Sequence, residues 1–385
     1  MLENPHTFLM KTGSKFTKGY WIMKKRVLTA FMAAVVALSA VGCASSDAGT
    51  SSEEAAETTA NNAGVGGLKN AAAADKVSDS EEAILVTGDD YPLTVRDYLK
   101  YETTIETKPE KVAVLSGTPL NIWYDLGGKS VCTSDVSDNV RLTEGYEEEI
   151  KLLPQIGPVY SVDMEAVIAQ EPDLIIAQVG TQTTQGSKLR EMGYNVIQSH
   201  IRGFSDVVDT YRAFGKLLGQ SELAEQRITE LEKGKKEITD KLPDDDISVV
   251  ILYVTSKSLA VKLDNSIAGD IAGILELDNI ASGLAPDTVG SETTPLDIEY
   301  IVEKDPDYVL VTTMISSNEE AKKTVEEQFA SNPAWSSVNA ISEGRVIYLP
   351  QQYYLYNAGP YYVDAIKYMA QSIYPDIYGE VEETF

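Results

Sequence analysis

Histidine and cysteine are scarce in this chain, and each scarcity argues against a kind of site. The 385 residues contain two histidines and two cysteines. His6 lies ahead of a predicted signal segment, which leaves His200, so a zinc or manganese site built from several imidazoles is not expected. A Ser-His-Asp hydrolase is disfavoured for the same reason. If Cys43 is lipidated, Cys132 is the only thiol left, and neither a disulfide nor a cysteine metal site can form.

Basic residues are also few. The chain has 32 Lys and Arg against 59 Asp and Glu, a net charge of −27. This excess of negative charge argues against nucleic acid or acidic lipid as a partner. The sequence has no GxSxG nucleophile elbow, no phosphate-binding loop and no GxGxxG motif. We therefore expect no enzyme, and no resident cofactor or metal ion.

One long hydrophobic run is present, and it lies near the N-terminus. Residues 23–43 read MKKRVLTAFMAAVVALSAVGC, a basic cluster, an apolar stretch and a small-residue cleavage site. The stretch is short for a membrane-spanning helix and is typical of a secretory signal peptide. Its end, AVGC, resembles a bacterial lipobox, in which the cysteine receives lipid. We expect an extracytoplasmic protein that is anchored to the cell membrane by lipidated Cys43.

The segments on either side of the signal peptide are not expected to fold. Residues 1–22 fit no part of a signal peptide, so we expect the natural start to be Met23 and the preceding segment to be non-native or misannotated. Residues 44–82 are mostly small and polar. Such a segment cannot bury enough apolar surface to offset its ordering entropy. We interpret it as a disordered tether between the anchor and a folded body.

The folded part contains an internal repeat. Residues 163–177 (DMEAVIAQEPDLIIA) align without a gap to residues 297–311 (DIEYIVEKDPDYVLV). In each copy an Asp can cap a short helix, a Glu follows in its first turn, and Pro-Asp precedes an apolar run. The repeat predicts two similar α/β lobes, and a cleft between two lobes is a common ligand site.

The rest of the pattern agrees with two lobes. Strands and helices alternate, which indicates mostly parallel central sheets. Residues 221–241 keep helical spacing of apolar side chains and predict a long helix midway between the repeat copies. We therefore expect an N-terminal α/β lobe over 83–204, a helical segment over 205–242 that includes an inter-lobe helix, and a C-terminal α/β lobe over 243–385.

Several stretches resemble one family, the class III substrate-binding proteins of ABC importers. They include KPEKVAVLSGTPLNIWYDLGG, LPQIGPVYSVDMEAVIAQEPDLIIA, GDIAGILELDNIA, PLDIEYIVEKDPDYVLV and NPAWSSVNAISEGRVIYL. The resemblance covers about residues 83–378. It implies two α/β lobes bridged by one long α-helix, and a monomer that delivers a ferric siderophore, haem or vitamin B12 to a permease and its ATPase. It also implies that Glu165 and Glu299, one on each lobe, dock against the permease.

Ligands of α/β lobes sit at the carboxyl ends of strands. The expected loops are 116–124, 158–162, 178–186, 200–204, 253–257, 312–317 and 351–357. Aromatic side chains there offer large rigid contact areas, and a basic one could pair with an anionic chelate or a propionate. The candidate ligand-binding residues are Trp123, Tyr124, Tyr160, Arg202, Tyr253, Lys257, Met314, Tyr353, Tyr354 and Tyr356.

The sequence leaves the ligand open. Iron chelates, either ferric siderophores or haem, are favoured as the commoner ligands of the family. Haem would need an axial ligand, for which Tyr354 and Met314 are candidates. A corrinoid of the vitamin B12 type is also compatible, because Tyr and Trp side chains in the expected loops would form a neutral aromatic pocket. Two other classes stay as alternatives, a ligand-sensing lipoprotein on the same scaffold and, less favoured, a surface enzyme.

Overall fold

The computed structural model describes residues 84–136, 140–256, 258–315, 318–355 and 359–382. The predictions for the segments 1–22, 23–43 and 44–82, with Cys43, lie outside the described residues, as do those for Lys257 and Tyr356. Of the helices in the described ranges, none combines the length and the apolar character needed to cross a bilayer.

The described chain opens with a small antiparallel sheet. Its three strands, in spatial order, are β1 (Leu85–Thr87), β2 (Leu93–Arg96) and β3 (Glu102–Ile105). The first two form an antiparallel hairpin, with Val86 opposite Val95.

The N-terminal lobe has a parallel sheet. Its strands are β4 (Val112–Val114), β5 (Leu174–Gln178) and β6 (Val196–Ser199), in that spatial order. Strands and helices alternate as predicted, and the helices are α1 (Gly117–Asp125), α2 (Glu147–Lys151), α3 (Met164–Ile168) and α4 (Thr183–Glu191).

Two helices carry the chain from this lobe to the next. They are α5 (Phe204–Leu218) and α6 (Ser221–Thr239), and Gly219 turns the chain between them with φ of 66°. Helix α6 confirms the long helix predicted over 221–241, and its 19 residues span about 28 Å at 1.5 Å per residue. Helix α5 packs on α1, and α6 packs on α5 and on a C-terminal helix described below.

The C-terminal lobe has a mixed sheet of six strands. They are β7 (Ser248–Val254), β8 (Leu259–Lys262), β9 (Asp278–Asn279), β10 (Thr293–Pro295), β11 (Tyr308–Thr313) and β12 (Val346–Tyr348). The spatial order is β10-β8-β7-β11-β12, with β9 pairing with the start of β7. Strands β7, β9, β11 and β12 are parallel to one another, β8 runs antiparallel to β7, and β10 runs antiparallel to β8.

Seven α-helices and one 3₁₀ turn (Pro333–Ser337) surround this sheet in the described ranges. The helices are α7 (Ile267–Ile274), α8 (Ile298–Lys304), α9 (Asn318–Ser331), α10 (Asn339–Ser342), α11 (Gln351–Tyr354), α12 (Tyr362–Ile373) and α13 (Pro375–Tyr378). Helix α12 is the one that packs on α6.

The repeat reappears as two equivalent structural units. Helix α3 leads into β5, and α8 leads into β11, the central strand of each parallel set. The caps match, because Asp163 accepts from backbone N–H groups of α3 and Asp297 does so in α8. The next carboxylates match as well. Asp173 Oδ2 accepts from Lys111 N at 3.1 Å, and Asp307 Oδ2 accepts from Ser248 N at 2.9 Å.

Both sheets turn one face toward the same helical layer. One hydrophobic cluster joins residues of both lobes with helices α5, α6, α7 and α12. Its residues on strands of the two lobe sheets are Val112, Val114, Leu174, Ile176, Ile197, Val249, Ile251 and Leu310. The residues that alternate with these along the strands belong to two further clusters, one for each lobe. This period of two is the expected side-chain alternation of a strand. The two lobes therefore share one core.

The start of α5 is fixed from both lobes. Asp206 Oδ2 accepts from Arg202 N at 2.9 Å and from Gly203 N at 3.0 Å. Asp270, on α7 of the C-terminal lobe, accepts from Phe204 N at 3.0 Å. Burial raises the pKa of Asp206, but the hydrogen bond and charge of His200 and the two N–H groups outweigh burial and lower it below its ordinary value.

We expect Gly215→Ala to destabilise the protein. A Cβ at this position of α5 would lie 2.5 Å from Ala224 Cβ on α6, and overpacking of this kind lowers the free energy of unfolding by about 1–3 kcal/mol. Gly273→Ala is the control, since its Cβ would meet no atom within 4 Å and the helix should gain about 0.5–1 kcal/mol. Urea unfolding followed by circular dichroism measures both, and an unchanged or higher midpoint for Gly215→Ala would contradict the close packing.

We expect Asp206→Ala to reduce the free energy of unfolding by about 1–3 kcal/mol at pH 7, because two backbone N–H groups lose a charged acceptor. The pKa of Asp206 is lowered by folding. Its contribution is therefore present above the ordinary carboxyl pKa of about 4 and lost as the pH falls through the folded value. Urea titrations at pH 7 and pH 3 should show the difference between variant and wild type shrinking in acid. Glu232→Ala, at an exposed position of α6, should differ little from wild type at either pH.

Candidate functional site

A cavity of about 840 Å³ lies between the two lobes. Each of the seven loops predicted from strand ends contributes at least one residue to its wall. The N-terminal lobe also contributes residues 133–136, 140 and 142, and the C-terminal lobe contributes residues 288–293. A concave site of this size, open between two lobes, is typical of small-molecule binding.

Hydrogen bonds hold the wall of the N-terminal lobe in place. Ser116 Oγ, at the end of β4, donates to Gln178 Oε1 at 2.7 Å, at the end of β5. The side-chain amide of Gln182 donates to Leu115 O at 2.7 Å and to Val159 O at 3.0 Å. Three loops that follow different strands or helices are thereby tied together, so this wall is preformed.

Charged side chains of both lobes meet at the cleft. Arg202 belongs to the N-terminal side, and its Nε lies 3.8 Å from Glu292 Oε2 of the C-terminal lobe. Lys262, on β8, forms an ion pair with the other oxygen of Glu292. Burial lowers the pKa of Lys262. Burial also raises the pKa of Glu292, but the two neighbouring cations outweigh it and lower that pKa, so Glu292 is ionised at neutral pH.

Four of the candidate ligand-binding residues line the cleft together. They are Tyr160, Arg202, Tyr253 and Met314. Tyr160 is 63% exposed and Met314 is 39% exposed, which leaves both side chains available for contact. Ligand contact by these four stays a prediction.

The structure places four other candidates in the core instead of the cleft. Trp123 is 1% exposed, and its indole N–H donates to Lys129 O at 3.0 Å. Tyr124 is equally buried, and burial raises its pKa to about 12. Both lie in the later turns of α1, which face the shared core, whereas residues 116–118 and 120 of the same segment line the cleft.

Tyr353 and Tyr354, also predicted as ligand contacts, lie in the core as well. Tyr354 is 3% exposed, and its hydroxyl donates to Ala365 O at 2.6 Å. Burial raises its pKa well above the ordinary value, which disfavours a phenolate ligand for iron or haem. Tyr353 is 5% exposed, and its hydroxyl accepts from Arg141 Nη1 at 2.9 Å. His200 is also internal, stacked on Tyr98 with ring centroids 4.2 Å apart.

Sequence reasoning missed the segment 288–293. It precedes β10 and so lies at the amino end of an edge strand, whereas the rule places ligands at the carboxyl ends of strands. One signal was available in Glu292, a charged residue within the sequence TVGSETT. Its importance depends on Lys262, 30 residues away in the sequence, and the sequence does not show that pairing.

Glu165 and Glu299 occupy equivalent exposed positions in the first turns of α3 and α8. Glu299 also borders a second cavity of about 650 Å³, which is lined by the C-terminal lobe alone and lies against its separate hydrophobic cluster. Among the described residues, no group of three or more His, Cys, Asp or Glu side chains is arranged to hold a metal ion.

Sequence relatives cover most of the folded body. YvrC of Bacillus subtilis, an uncharacterized ABC transporter substrate-binding lipoprotein, is 24% identical over 298 residues, 75% of this chain and 88% of that protein. The Fe(3+)-citrate-binding protein YfmC of the same organism is 22% identical over 247 residues, 64% of this chain and 74% of that one. A cobalamin-binding protein of Halobacterium salinarum is 24% identical over 221 residues, 57% and 58% of the two chains.

The fold is likewise shared with solved structures. IsdE of Staphylococcus aureus, in complex with heme, superposes with a TM-score of 0.60 at 17% identity, over 68% of this chain and 98% of that one. The fold is therefore that of the class III periplasmic binding proteins, as the sequence predicts. The family model described as periplasmic binding protein matches residues 112–353, more than half of the sequence. This family is one of solute-binding proteins and not a class of enzymes, and the chain belongs to it.

Proposed function

We propose that this protein is the extracytoplasmic receptor of an ABC importer, capturing an iron chelate, either a ferric siderophore or haem, and delivering it to a permease and its ATPase. The observation that carries the proposal is the cleft of about 840 Å³, which is walled by strand-end loops of both lobes. The names of the relatives that bind ferric citrate or belong to ABC transporters support the importer role.

The location follows from the N-terminal sequence. A signal segment that ends in Cys43 precedes residues 44–82, which are mostly small and polar, and a relative of the same family is named as a lipoprotein. A lipidated Cys43 would hold the receptor at the membrane surface, and the tether would let the lobes reach the permease.

A corrinoid is the second candidate ligand. The observation that favours it is the polarity of the cleft, which presents tyrosine, methionine and small polar side chains in larger number than charged ones. The relative from Halobacterium salinarum that is named as a cobalamin-binding protein supports the same reading.

Titration of the purified protein with haem, cyanocobalamin and ferric siderophores, followed by visible absorption, tests ligand binding. We expect saturable binding of at least one of these, and Tyr160→Ala should weaken it about tenfold because exposed aromatic contacts of a cleft contribute 1 kcal/mol or more. Tyr101→Ala is the control, an exposed tyrosine immediately before β3 that does not line the cleft. No binding of any of the three ligand types would contradict the proposed function.

The docking role of Glu165 and Glu299 is tested by reversing their charges together. The double variant Glu165→Arg with Glu299→Arg should abolish ligand uptake by cells and leave the affinity of the purified protein unchanged, because charges at a docking surface set orientation and association rate. Glu191→Arg with Glu319→Arg is the matched control, with one exposed carboxylate reversed on each lobe outside α3 and α8. Normal uptake by the first double variant would remove the docking role, and would favour a ligand sensor that signals without a permease.

A further inference from the structure

One carboxylate joins the basic groups of both lobes at the cleft. Glu292 lies between Arg202 of the N-terminal side and Lys262 of β8, using a different oxygen for each. Arg202 is the one basic side chain among the described residues that line the cavity, which also include the carboxylates of Glu292 and Asp135. The positive charge at the cleft is therefore already neutralised by the protein.

The guanidinium of Arg202 lies close to backbone of both lobes. Its Nη1 donates to Gly290 O at 3.3 Å on the C-terminal lobe. On the N-terminal lobe, a Cβ at Gly180 would lie 3.4 Å from its Nη2. With 18% of its side chain exposed, Arg202 has room to present part of its guanidinium to one ligand group while it stays near Glu292.

Lys262 keeps Glu292 in place. Its side chain is 4% exposed, and Nζ lies 4.4 Å from the ring centroid of Tyr253, which lines the cleft. A ligand that displaced Glu292 would leave the ammonium of Lys262 buried without its counter-ion, which is strongly unfavourable. An anionic ligand therefore meets a fixed negative charge instead of replacing it.

We infer that Glu292 is a specificity-determining residue that restricts the cleft to ligands that are neutral or carry a single negative charge. Ferric tris-hydroxamates and cyanocobalamin are neutral, and ferric haem carries one net negative charge because its cationic iron porphyrin offsets one of the two propionates. These ligands belong to the class, whereas trianionic ferric tris-catecholates do not. The inference rests on the proposed function and narrows its substrate class. Its physical basis is the repulsion between like charges, which is strong in a partly buried site.

Two ferric complexes of the same metal and coordination number test the inference. A neutral ferric tris-hydroxamate and a trianionic ferric tris-catecholate are titrated into the wild-type protein and into Glu292→Gln. We expect the wild type to bind the neutral complex at least tenfold more tightly, and Glu292→Gln to reduce that preference at least tenfold by strengthening catecholate binding. Glu292→Asp should retain the preference. Glu225→Gln changes the total charge equally at an exposed site of α6, and should not alter it.

A double variant covers the case in which Glu292→Gln fails to fold. Lys262→Met with Glu292→Gln removes the buried charge together with its counter-ion, and should show the same loss of preference. Equal binding of the two complexes by the wild type, or an unchanged preference in both variants, would overturn the inference and leave the proposed function standing. If the protein binds haem or cyanocobalamin but not the hydroxamate complex, the affinity for that ligand replaces the hydroxamate affinity in the comparison with the catecholate complex. Failure of all of these ligands to bind would overturn both.

Discussion

The structure depends on one packing constraint, the burial of both sheets against the same helical layer. Alternate residues of β4 and β5 in one lobe, and of β7 and β11 in the other, contact one continuous hydrophobic cluster. Separating the lobes completely would expose this apolar surface to water, which is strongly unfavourable at about 25 cal/mol per Å². The lobes are therefore joined through a core, and the cleft lies beside that core.

The duplicated unit determines where the cleft opens. In both lobes a capped helix, a Pro-Asp pair and a parallel strand follow one another, and the aspartates 173 and 307 bond to the start of the neighbouring strand in the same way. The repeat thus fixes strand direction and register in each sheet. Because the two sheets have this equivalent construction, their carboxyl-end loops form the opposing walls of one cavity.

The charged residues at the cleft are specific to this chain's contacts and are not given by the family fold alone. Membership of the periplasmic binding protein family accounts for the fold, but fold alone does not define the ligand. Here an edge-strand segment brings Glu292 to Arg202 and Lys262, which are far apart in the sequence. The Arg202–Glu292 ion pair links the lobes at the cleft itself, so the carboxylate that we infer to select the ligand also contributes to lobe contact.

The sequence by itself determined the lobes, the order of the elements and the loops that form the cleft. It could do so because the repeat, the apolar periodicity and the strand-end rule are local or depend on simple spacing. Only the tertiary structure decided which side chains of those loops face the cavity. Trp123 and Tyr124 lie at the end of helix α1 that is farther from Ser116, where they pack in the shared core, and Tyr354 bonds within the core. Glu292 lines the cleft and pairs with Lys262, 30 positions away in the sequence. Contacts between such distant segments are fixed by packing and not by local pattern.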